Sequence, residues 1–305
     1  MVEETQVKQE NKLVYHYTSL KVLYEIIKNK SLWLTSLSST NDKKELEHGK
    51  NLFKDILATT SMGTDNDDFI TALKVKSNFS KIDFYGVSFA KKGDSLTHWD
   101  RYAEQCTGIS IAFNLIKIDT LFDNDYKAFI HSRIAYKKDA IFKSISPNIE
   151  IFKHLYNDRA KKDITKDMIL NVFLNMALLF CTFYKCEDFI DEDEYRFVFT
   201  PSNWDLREKV IQSASKYNVE IVEKMRMAYS RLGLDAEAPK YAAFHDSIRS
   251  YYELKLGDPE LWSSKLIPEI YLGPKCYQIK SELESFLKAN GLEDTEVKLS
   301  EIELR

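Results

Sequence analysis

Two glutamates separated by one residue, Glu192 and Glu194, stand where an acidic segment meets a predicted strand. The seven residues that end at Glu194 include five carboxylates, and Tyr195 to Phe199 then alternate like a β-strand until Pro201. The two glutamates point the same way if the strand already includes them. Two such carboxylates are hard to keep ionised together in a dry site, so in a cleft they would form a general base, a cation stabiliser or half a metal site. The alternative is a solvated acidic loop before an ordinary strand.

A histidine near the start of the chain is a second candidate. His16 lies at the end of a predicted strand over residues 13–17, just before a helix for which Thr18 and Ser19 offer an N-cap. The imidazole could donate to a ribose hydroxyl, and the backbone groups that follow it could bind an amide. A structural hydrogen bond is the alternative for a single histidine.

Two further polar segments could contribute to a site. Residues 36–45 combine Ser, Thr, Asn and Asp, although a capping box that ends at Glu45 also accounts for them. Residues 94–102 place Trp99 and Tyr102 on one helical face, either in the core or on the wall of an aromatic pocket.

Composition argues against several chemistries. The chain has no phosphate-binding glycine loop, and no His or Cys pair has ligand spacing, so we expect no metal site. A net charge of −4 gives no global basic field for nucleic acid, although a local patch is compatible with it. Four cysteines without a CxxC pair, and a polar N-terminus unlike a signal peptide, predict reduced thiols in a cytoplasmic protein.

Strands and helices intermix without a strict βαβα order, which predicts an α+β fold rather than a doubly wound sheet. Residues 168–184 carry no charge, but they are short for a membrane span and two asparagines interrupt them. We therefore expect a buried helix there and no membrane association. We expect residues 1–305 to form a single domain with helical insertions at about 137–185 and 203–240.

In their order along the chain, these motifs resemble a widespread prokaryotic family of unknown function. Its pattern is Tyr-His-Tyr-Thr, Asn-Asp-x-x-Glu, Ser-Phe, Asp-x-x-x-x-Trp-x-x-Tyr-Ala before a Gly, Glu-x-Glu-Tyr-Arg and Ile/Val-x-Leu-Gly-Pro. Lys43 is a departure, since the family often has Pro there. The resemblance spans residues 13–300. The matching segments are Tyr15 to Thr18, Asn41 to Glu45, Ser88 and Phe89, Asp94 to Ala103 with Gly108, Glu192 to Arg196, and Ile270 to Pro274.

The family's recurring elements are similar to those of ADP-ribosyltransferases. This resemblance implies an ADP-ribosyltransferase-like split mixed sheet and NAD as the substrate. It implies that His16, with Tyr17 and Thr18, binds the ribose and adenosine of NAD. Glu194 would stabilise the oxocarbenium ion formed on bond cleavage, and Glu192 would position the acceptor.

The same resemblance assigns further residues to the NAD site. Trp99, Tyr102 or Tyr85 would stack on nicotinamide, and Arg196 would help bind the cofactor. His16 and Glu194 are then expected within one cleft, with side-chain atoms roughly 10 Å or less apart.

Activity and partners follow from the resemblance as expectations. The acceptor would be a protein or a nucleic acid, and the role that of a toxin or antiphage effector; the oligomeric state is left open. Two alternatives stay open beside transfer. One is NAD hydrolysis without a macromolecular acceptor, and the other is a non-catalytic nucleotide or nucleic-acid sensor. The basic residues that would face a phosphate backbone in that sensor are Arg101, Arg133, Lys185 and Arg196.

Overall fold

A computed structural model describes residues 13–39, 43–60, 67–79, 83–120, 131–158, 164–201, 227, 229–234, 238–243 and 247–303. The mixture of strands and helices confirms the α+β class. The chain divides into two compact units, each assembled from separated segments. The first comprises Met1–Lys30, Phe89–Leu121 and Leu256–Arg305, and the second comprises Ser31–Ser88 and Phe122–Lys255. The expectation of a single domain stays a prediction.

The elements follow one another in chain order, with short 3₁₀ helices at Leu37–Ser39 and Glu187–Glu192. The remaining elements are β1 (Leu13–Thr18), α1 (Leu20–Asn29), β2 (Ser31–Ser36), α2 (Lys43–Thr60), α3 (Asp68–Phe79), β3 (Tyr85–Ala90), α4 (Leu96–Tyr102), β4 (Ile109–Asn114), α5 (Leu115–Asp119), β5 (His131–Arg133), α6 (Lys138–Asn157), α7 (Lys166–Cys181), β6 (Glu194–Phe199), β7 (Lys240–Ala243), β8 (Ile248–Lys255), β9 (Glu269–Leu272), α8 (Lys280–Lys288) and β10 (Glu296–Leu299).

The first unit is built on the antiparallel strands β1, β4 and β9, with β10 added parallel to β9. Strand β4 is buried from Ile109 to Phe113, as expected for a nearly continuous apolar run covered on both faces. Helix α1 begins at Ser19, whose hydroxyl accepts a hydrogen bond from the Val22 backbone N–H at 3.1 Å, as its N-cap position predicted.

Helix α4 ends at Tyr102, shortly before a stretch of left-handed backbone. Three consecutive non-glycine residues, Glu104, Gln105 and Cys106, have positive φ angles of 48°, 53° and 76°. The chain then turns into β4 at Gly108, where a Cβ atom would lie 2.2 Å from the Thr18 carbonyl oxygen. Glycine therefore allows β4 to approach the end of β1.

Strand β3 connects the strands of the second unit, because it pairs with both β2 and β6. Strand β2 pairs with β3 and β8, and β8 also pairs with β7. Strand β6 pairs with β3 and with β5. The β3–β6 approach is close at Gly86, where a Cβ atom would lie 2.8 Å from the Phe197 carbonyl oxygen.

Four helices, α2, α3, α6 and α7, enclose the main core of the second unit. Most of α7 is buried, including Phe173, Leu174 and Ala177. The prediction of a buried helix over 168–184 is confirmed as far as Cys181. Within the described part of the chain, no helix is long and apolar enough to cross a membrane. The expected insertion at 203–240 lies mostly outside the described residues.

Candidate functional site

The site begins where α7 ends. After the cap residue Thr182 the chain becomes extended, and it is fixed by backbone hydrogen bonds on both sides of Ala135. The Ala135 N–H donates to the Phe183 carbonyl at 2.8 Å, and the Lys185 N–H donates to the Ala135 carbonyl at 3.1 Å. This short parallel bridge holds the backbone of Lys185 in place at the end of the helix.

The acidic segment then folds back towards Lys185. Residues Glu187–Glu192 form the 3₁₀ helix, and Asp193 adopts a left-handed conformation with φ 38° before β6 begins at Glu194. Asp and Asn tolerate this conformation better than most residues. The turn carries Glu192 and Glu194 to the same lysine, although Glu192 belongs to the 3₁₀ helix and not to the strand.

The carboxylate of Glu194 is bound on both oxygens. Its Oε1 accepts from the Ser88 hydroxyl at 2.5 Å and from Arg196, whose Nε and Nη2 lie at 2.7 and 2.6 Å. Its Oε2 lies 3.4 Å from the Lys185 ammonium, a much longer contact. The Glu194 backbone N–H donates to the Tyr136 hydroxyl at 3.0 Å.

The second carboxylate completes a closed group of charges. Lys185 donates to Glu192 Oε2 at 2.5 Å, and its ammonium lies 4.5 Å from the centre of the Phe189 ring. Lys185, Glu192, Glu194 and Arg196 are each no more than 7% exposed. We refer to these four residues as the ion-pair network. Its two cations and two carboxylates balance, as buried charges require.

Arg196 also ties the network to α7. Its Nη1 donates to the Thr182 carbonyl at 2.8 Å. A guanidinium at this position satisfies a carbonyl at the end of the helix and is favoured by the negative end of the helix dipole. The network is thus anchored to the most buried helix of the second unit.

Burial alone would raise the pKa of Glu194, because the charged form loses water. The opposing charges of Arg196 and Lys185, together with the Ser88 hydrogen bond, outweigh that effect and hold the pKa below its ordinary value of 4.5. Glu194 is therefore a carboxylate at neutral pH despite its burial.

Solvent reaches the edge of the network at Ser88. This serine is exposed, although its hydroxyl is bonded to the buried Glu194 carboxylate. Neither Ser88 nor Tyr136 was among the site residues inferred from the sequence. The only available signal for Ser88 was its place in the Ser-Phe piece of the family pattern, and the sequence gives no signal for Tyr136.

Three expectations for the second unit need correction. The interpretation as a solvated acidic loop is wrong for Glu192, because Lys185 holds it in a buried ion pair. Arg196 and Lys185 do not face a phosphate backbone, because both direct their charges into the network. The expectation that Tyr85 stacks on nicotinamide does not fit its burial, since it is 4% exposed and packs edge-on against Tyr252 at 4.8 Å.

The predicted NAD-binding residues of the first unit lie together on β1. His16 is half-buried, with its ring edge-on to Phe89 at 5.9 Å. Tyr17 is buried and donates from its hydroxyl to the Lys92 carbonyl at 2.8 Å. Burial raises the pKa of the Tyr17 phenol, and Thr18 beside it is also buried. Because His16 and Glu194 lie in different units, their convergence in one cleft stays a prediction.

The two aromatic residues of helix α4, Trp99 and Tyr102, lie in different environments. Trp99 is fully buried, packs edge-on against Tyr17 at 4.8 Å and donates from Nε1 to Asp94 at 2.6 Å. The expectation that Trp99 flanks a cleft is therefore wrong, because no face of its ring is left for a ligand. Tyr102 is 46% exposed, with its ring 6.0 Å from that of His98, and can still serve as a stacking residue.

The hydrogen bonds of Asp94 give a structural reason for the Asp-x-x-x-x-Trp pattern. Besides the Trp99 indole, it accepts from the Ser300 hydroxyl at 2.7 Å and from the Glu301 backbone N–H at 2.8 Å. The aspartate thus fixes both α4 and the segment after β10 within the first unit.

The fold and site therefore define an α+β protein with a buried, charge-balanced network around a Glu-x-Glu pair. A family model described as "Protein of unknown function (DUF2971)" matches residues 98–197. This match supports the expectation of a family of unknown function, and it includes all four residues of the ion-pair network. Comparisons with curated proteins and with solved structures gave no match.

Proposed function

We propose that the chain transfers ADP-ribose from NAD to a macromolecular acceptor, with Glu194 as the catalytic carboxylate. The observation that carries the proposal is that Glu194 is buried, ionised and oriented by Ser88, Arg196 and Lys185. An ADP-ribosyltransferase-like fold is part of this proposal, and the Glu-x-Glu resemblance supports it.

The chemistry needs a carboxylate of this kind. The bond between nicotinamide and ribose breaks with its electron pair leaving on nicotinamide, and positive charge develops on the ribose carbon. A preorganised carboxylate stabilises that charge without reorganising during the reaction. The acceptor then supplies an electron pair to the ribose carbon and loses a proton.

The two carboxylate oxygens of Glu194 would have different roles in the reaction. Oε1 is bound by Ser88 and by two Arg196 nitrogens, so it would hold the side chain in position. Oε2 makes a longer contact, 3.4 Å to the Lys185 ammonium. It is the oxygen that can turn to the ribose at the smallest loss of existing bonding.

Glu192 would act on the acceptor only after release from Lys185. In the described state, the Glu192 carboxylate is bound to the Lys185 ammonium at 2.5 Å. When the electron pair of the acceptor neutralises the ribose cation beside Glu194, Lys185 could move towards Glu194 and free Glu192 to take up the proton that the acceptor loses. His16 is assigned to the NAD ribose, as the resemblance implies, with Tyr102 as the stacking aromatic.

A second candidate is a non-catalytic nucleotide-binding module. It is favoured by the same network, because Glu194 is only 5% exposed and both of its oxygens face cations. A carboxylate already neutralised by two cations would be a purely structural element. NAD hydrolysis without an acceptor is the third outcome that the chemistry allows, with water in place of the acceptor.

One experiment separates the three functions. Purified protein is incubated with NAD labelled in its adenosine part, with and without cell lysate as a source of acceptors, and nicotinamide release is followed. Label that enters macromolecules supports transfer, and an effector role would then be tested by expressing the chain in cells. Nicotinamide release without incorporation supports hydrolysis. Binding of NAD by calorimetry without release supports the binding module, and absence of both binding and release would overturn the proposal.

A further inference from the structure

Strands β7, β8 and β2 of the second unit present one solvent-facing side. Tyr251 on β8 lies opposite Lys240 of β7 on one side and opposite Thr35 of β2 on the other. Trp33 of β2 lies opposite Glu253 of β8. Because side chains alternate along a strand, these residues share one face with Arg249 and Lys255. The opposite face is buried at Leu32, Leu34, Tyr252 and Leu254.

Two aromatic rings stack at the centre of the exposed side. Trp33 and Tyr251 lie 4.1 Å apart between ring centres, with their planes 21° from parallel. Trp33 is nevertheless 39% exposed, which is unusual for the largest apolar side chain in the middle of a sheet. A further flat ring could extend this stack.

Basic side chains surround the stacked pair. Lys240, Arg249 and Lys255 are positive, and Glu253 is the single acidic residue among the described residues on this face. Glu253 is paired with Lys240 and also accepts from the Ser31 hydroxyl at 3.0 Å. The face is therefore net positive, in a chain whose net charge is −4. We call Trp33, Tyr251, Lys240, Arg249 and Lys255 the aromatic–basic face.

We propose that the aromatic–basic face binds single-stranded nucleic acid. Stacking rings on an open sheet receive unpaired bases, and the cations that flank them neutralise phosphates. In a duplex the faces of the bases are stacked inside the helix. A duplex could therefore contact the basic side chains of the aromatic–basic face, but its bases could not stack on Trp33 and Tyr251. The extent of β8 from Arg249 to Lys255, about 20 Å along the strand, suits a short segment of a strand. This proposal does not depend on ADP-ribosyl transfer, because none of the five residues belongs to the ion-pair network.

The test measures anisotropy of short labelled oligonucleotides of single-stranded RNA, single-stranded DNA and duplex DNA. We expect wild-type protein to bind both single strands more tightly than the duplex. Trp33→Thr, which keeps strand propensity, should weaken single-strand binding by roughly 5- to 150-fold. Arg249→Glu and Lys255→Glu should each weaken binding and reduce the slope of log affinity against log salt by roughly 0.7 or more.

Two variants serve as matched controls. Tyr241→Thr removes an exposed aromatic side chain from the same group of strands, but from the opposite face, since Tyr241 pairs with Ser250. Lys280→Glu reverses an exposed charge on α8 in the first unit. Both should bind as wild type does, and all variants should keep the wild-type circular dichroism spectrum.

Three results would overturn the proposal. The first is a wild-type protein that binds no oligonucleotide at low salt. The second is equal affinity for duplex and single strand together with an unaffected Trp33→Thr variant. The third is concentration-dependent self-association that Trp33→Thr abolishes, which would assign the face to a second copy of the chain.

Discussion

At the scale of single residues, the behaviour of Glu194 is set by what surrounds it. Isolated burial would neutralise a carboxyl group, whereas here Arg196 and Lys185 keep it charged. The same contacts that would prepare the carboxylate for catalysis also make it part of the core. Substitutions at Glu194 are therefore expected to affect folding stability as well as activity.

We predict that Glu194→Gln lowers the free energy of unfolding by about 3–5 kcal/mol, because it leaves two buried cations with a single carboxylate. The matched control is Asp193→Asn in the same turn. It removes one carboxylate from a solvent-facing pair with Arg133 and keeps a residue that tolerates positive φ, so it should cost at most about 1 kcal/mol. Urea denaturation measures both variants, and equal losses would contradict a balanced network.

The pH dependence of stability follows from the lowered pKa of Glu194. Since the unfolded state takes up the proton more readily, the stabilisation by this group is fully present above the ordinary pKa of 4.5 and is lost as the pH falls below it. The difference in unfolding free energy between wild type and Glu194→Gln should therefore shrink on acidification from neutral pH to about pH 3. A difference that stays constant over this range would show that Glu194 is not held ionised by the network.

At the scale of elements, the sequence was sufficient wherever one physical pattern dominated. The alternating residues Tyr195 to Phe199 predicted β6, and the charge-free run predicted α7. Sequence patterns failed where residues other than glycine adopt a left-handed backbone conformation and change the direction of the chain. The left-handed Asp193 separates Glu192 from the strand, and left-handed residues from Glu104 to Cys106 lead the chain away from α4 towards β4. The i, i+3 spacing of Trp99 and Tyr102 also could not distinguish a tryptophan buried in the core from an aromatic residue that lines a pocket.

Side-chain hydrogen bonds across long sequence separations could not be predicted either. The sequence places Ser88 more than a hundred residues from Glu194, and only the β3–β6 pairing brings them into contact. In contrast, Glu192, Glu194 and Arg196 are neighbours in sequence, so the sequence identified them as candidates while leaving their partners open.

The role of Asp94 in fixing α4 is testable. Asp94→Ala removes acceptors for Trp99, Ser300 and Glu301, and should lower the unfolding free energy by about 2–4 kcal/mol. Asp100→Ala, an exposed aspartate on the same helix, should stay within about 0.5 kcal/mol of wild type. Thermal and urea unfolding of both variants give the comparison. An Asp94→Ala protein as stable as wild type would remove the structural explanation of the motif.

The approach of β3 to β6 gives a second prediction for the elements. Gly86→Ala places a Cβ atom against the Phe197 carbonyl, a backbone atom that can move only with its strand, and should cost about 1–3 kcal/mol. Gly257→Ala is the control, since its nearest neighbour is a side-chain atom of Lys30 at 3.4 Å. If the two alanine variants melt at the same temperature, the close packing at Gly86 is not a constraint.

At the scale of the whole molecule, the two proposals rest on two separate groups of residues, one buried and one exposed. The ion-pair network lies on β6 and on the segment between α7 and β6, whereas the aromatic–basic face lies on β2, β7 and β8. The family model matches residues 98–197, which contain the network but none of the aromatic–basic face. Loss of oligonucleotide binding in Trp33→Thr should therefore leave nicotinamide release unchanged when NAD alone is the substrate.

The most direct test of the central claim compares nicotinamide release from NAD by wild type, Glu194→Gln and Asp193→Asn, at a temperature where all three are folded. Loss of a group that acts in the transition state predicts a rate about 10²- to 10³-fold lower for Glu194→Gln. Calorimetry should show nearly unchanged NAD affinity in that variant, and Asp193→Asn should keep the wild-type rate. A folded Glu194→Gln protein that releases nicotinamide as fast as wild type would contradict the assignment of Glu194 as the catalytic carboxylate.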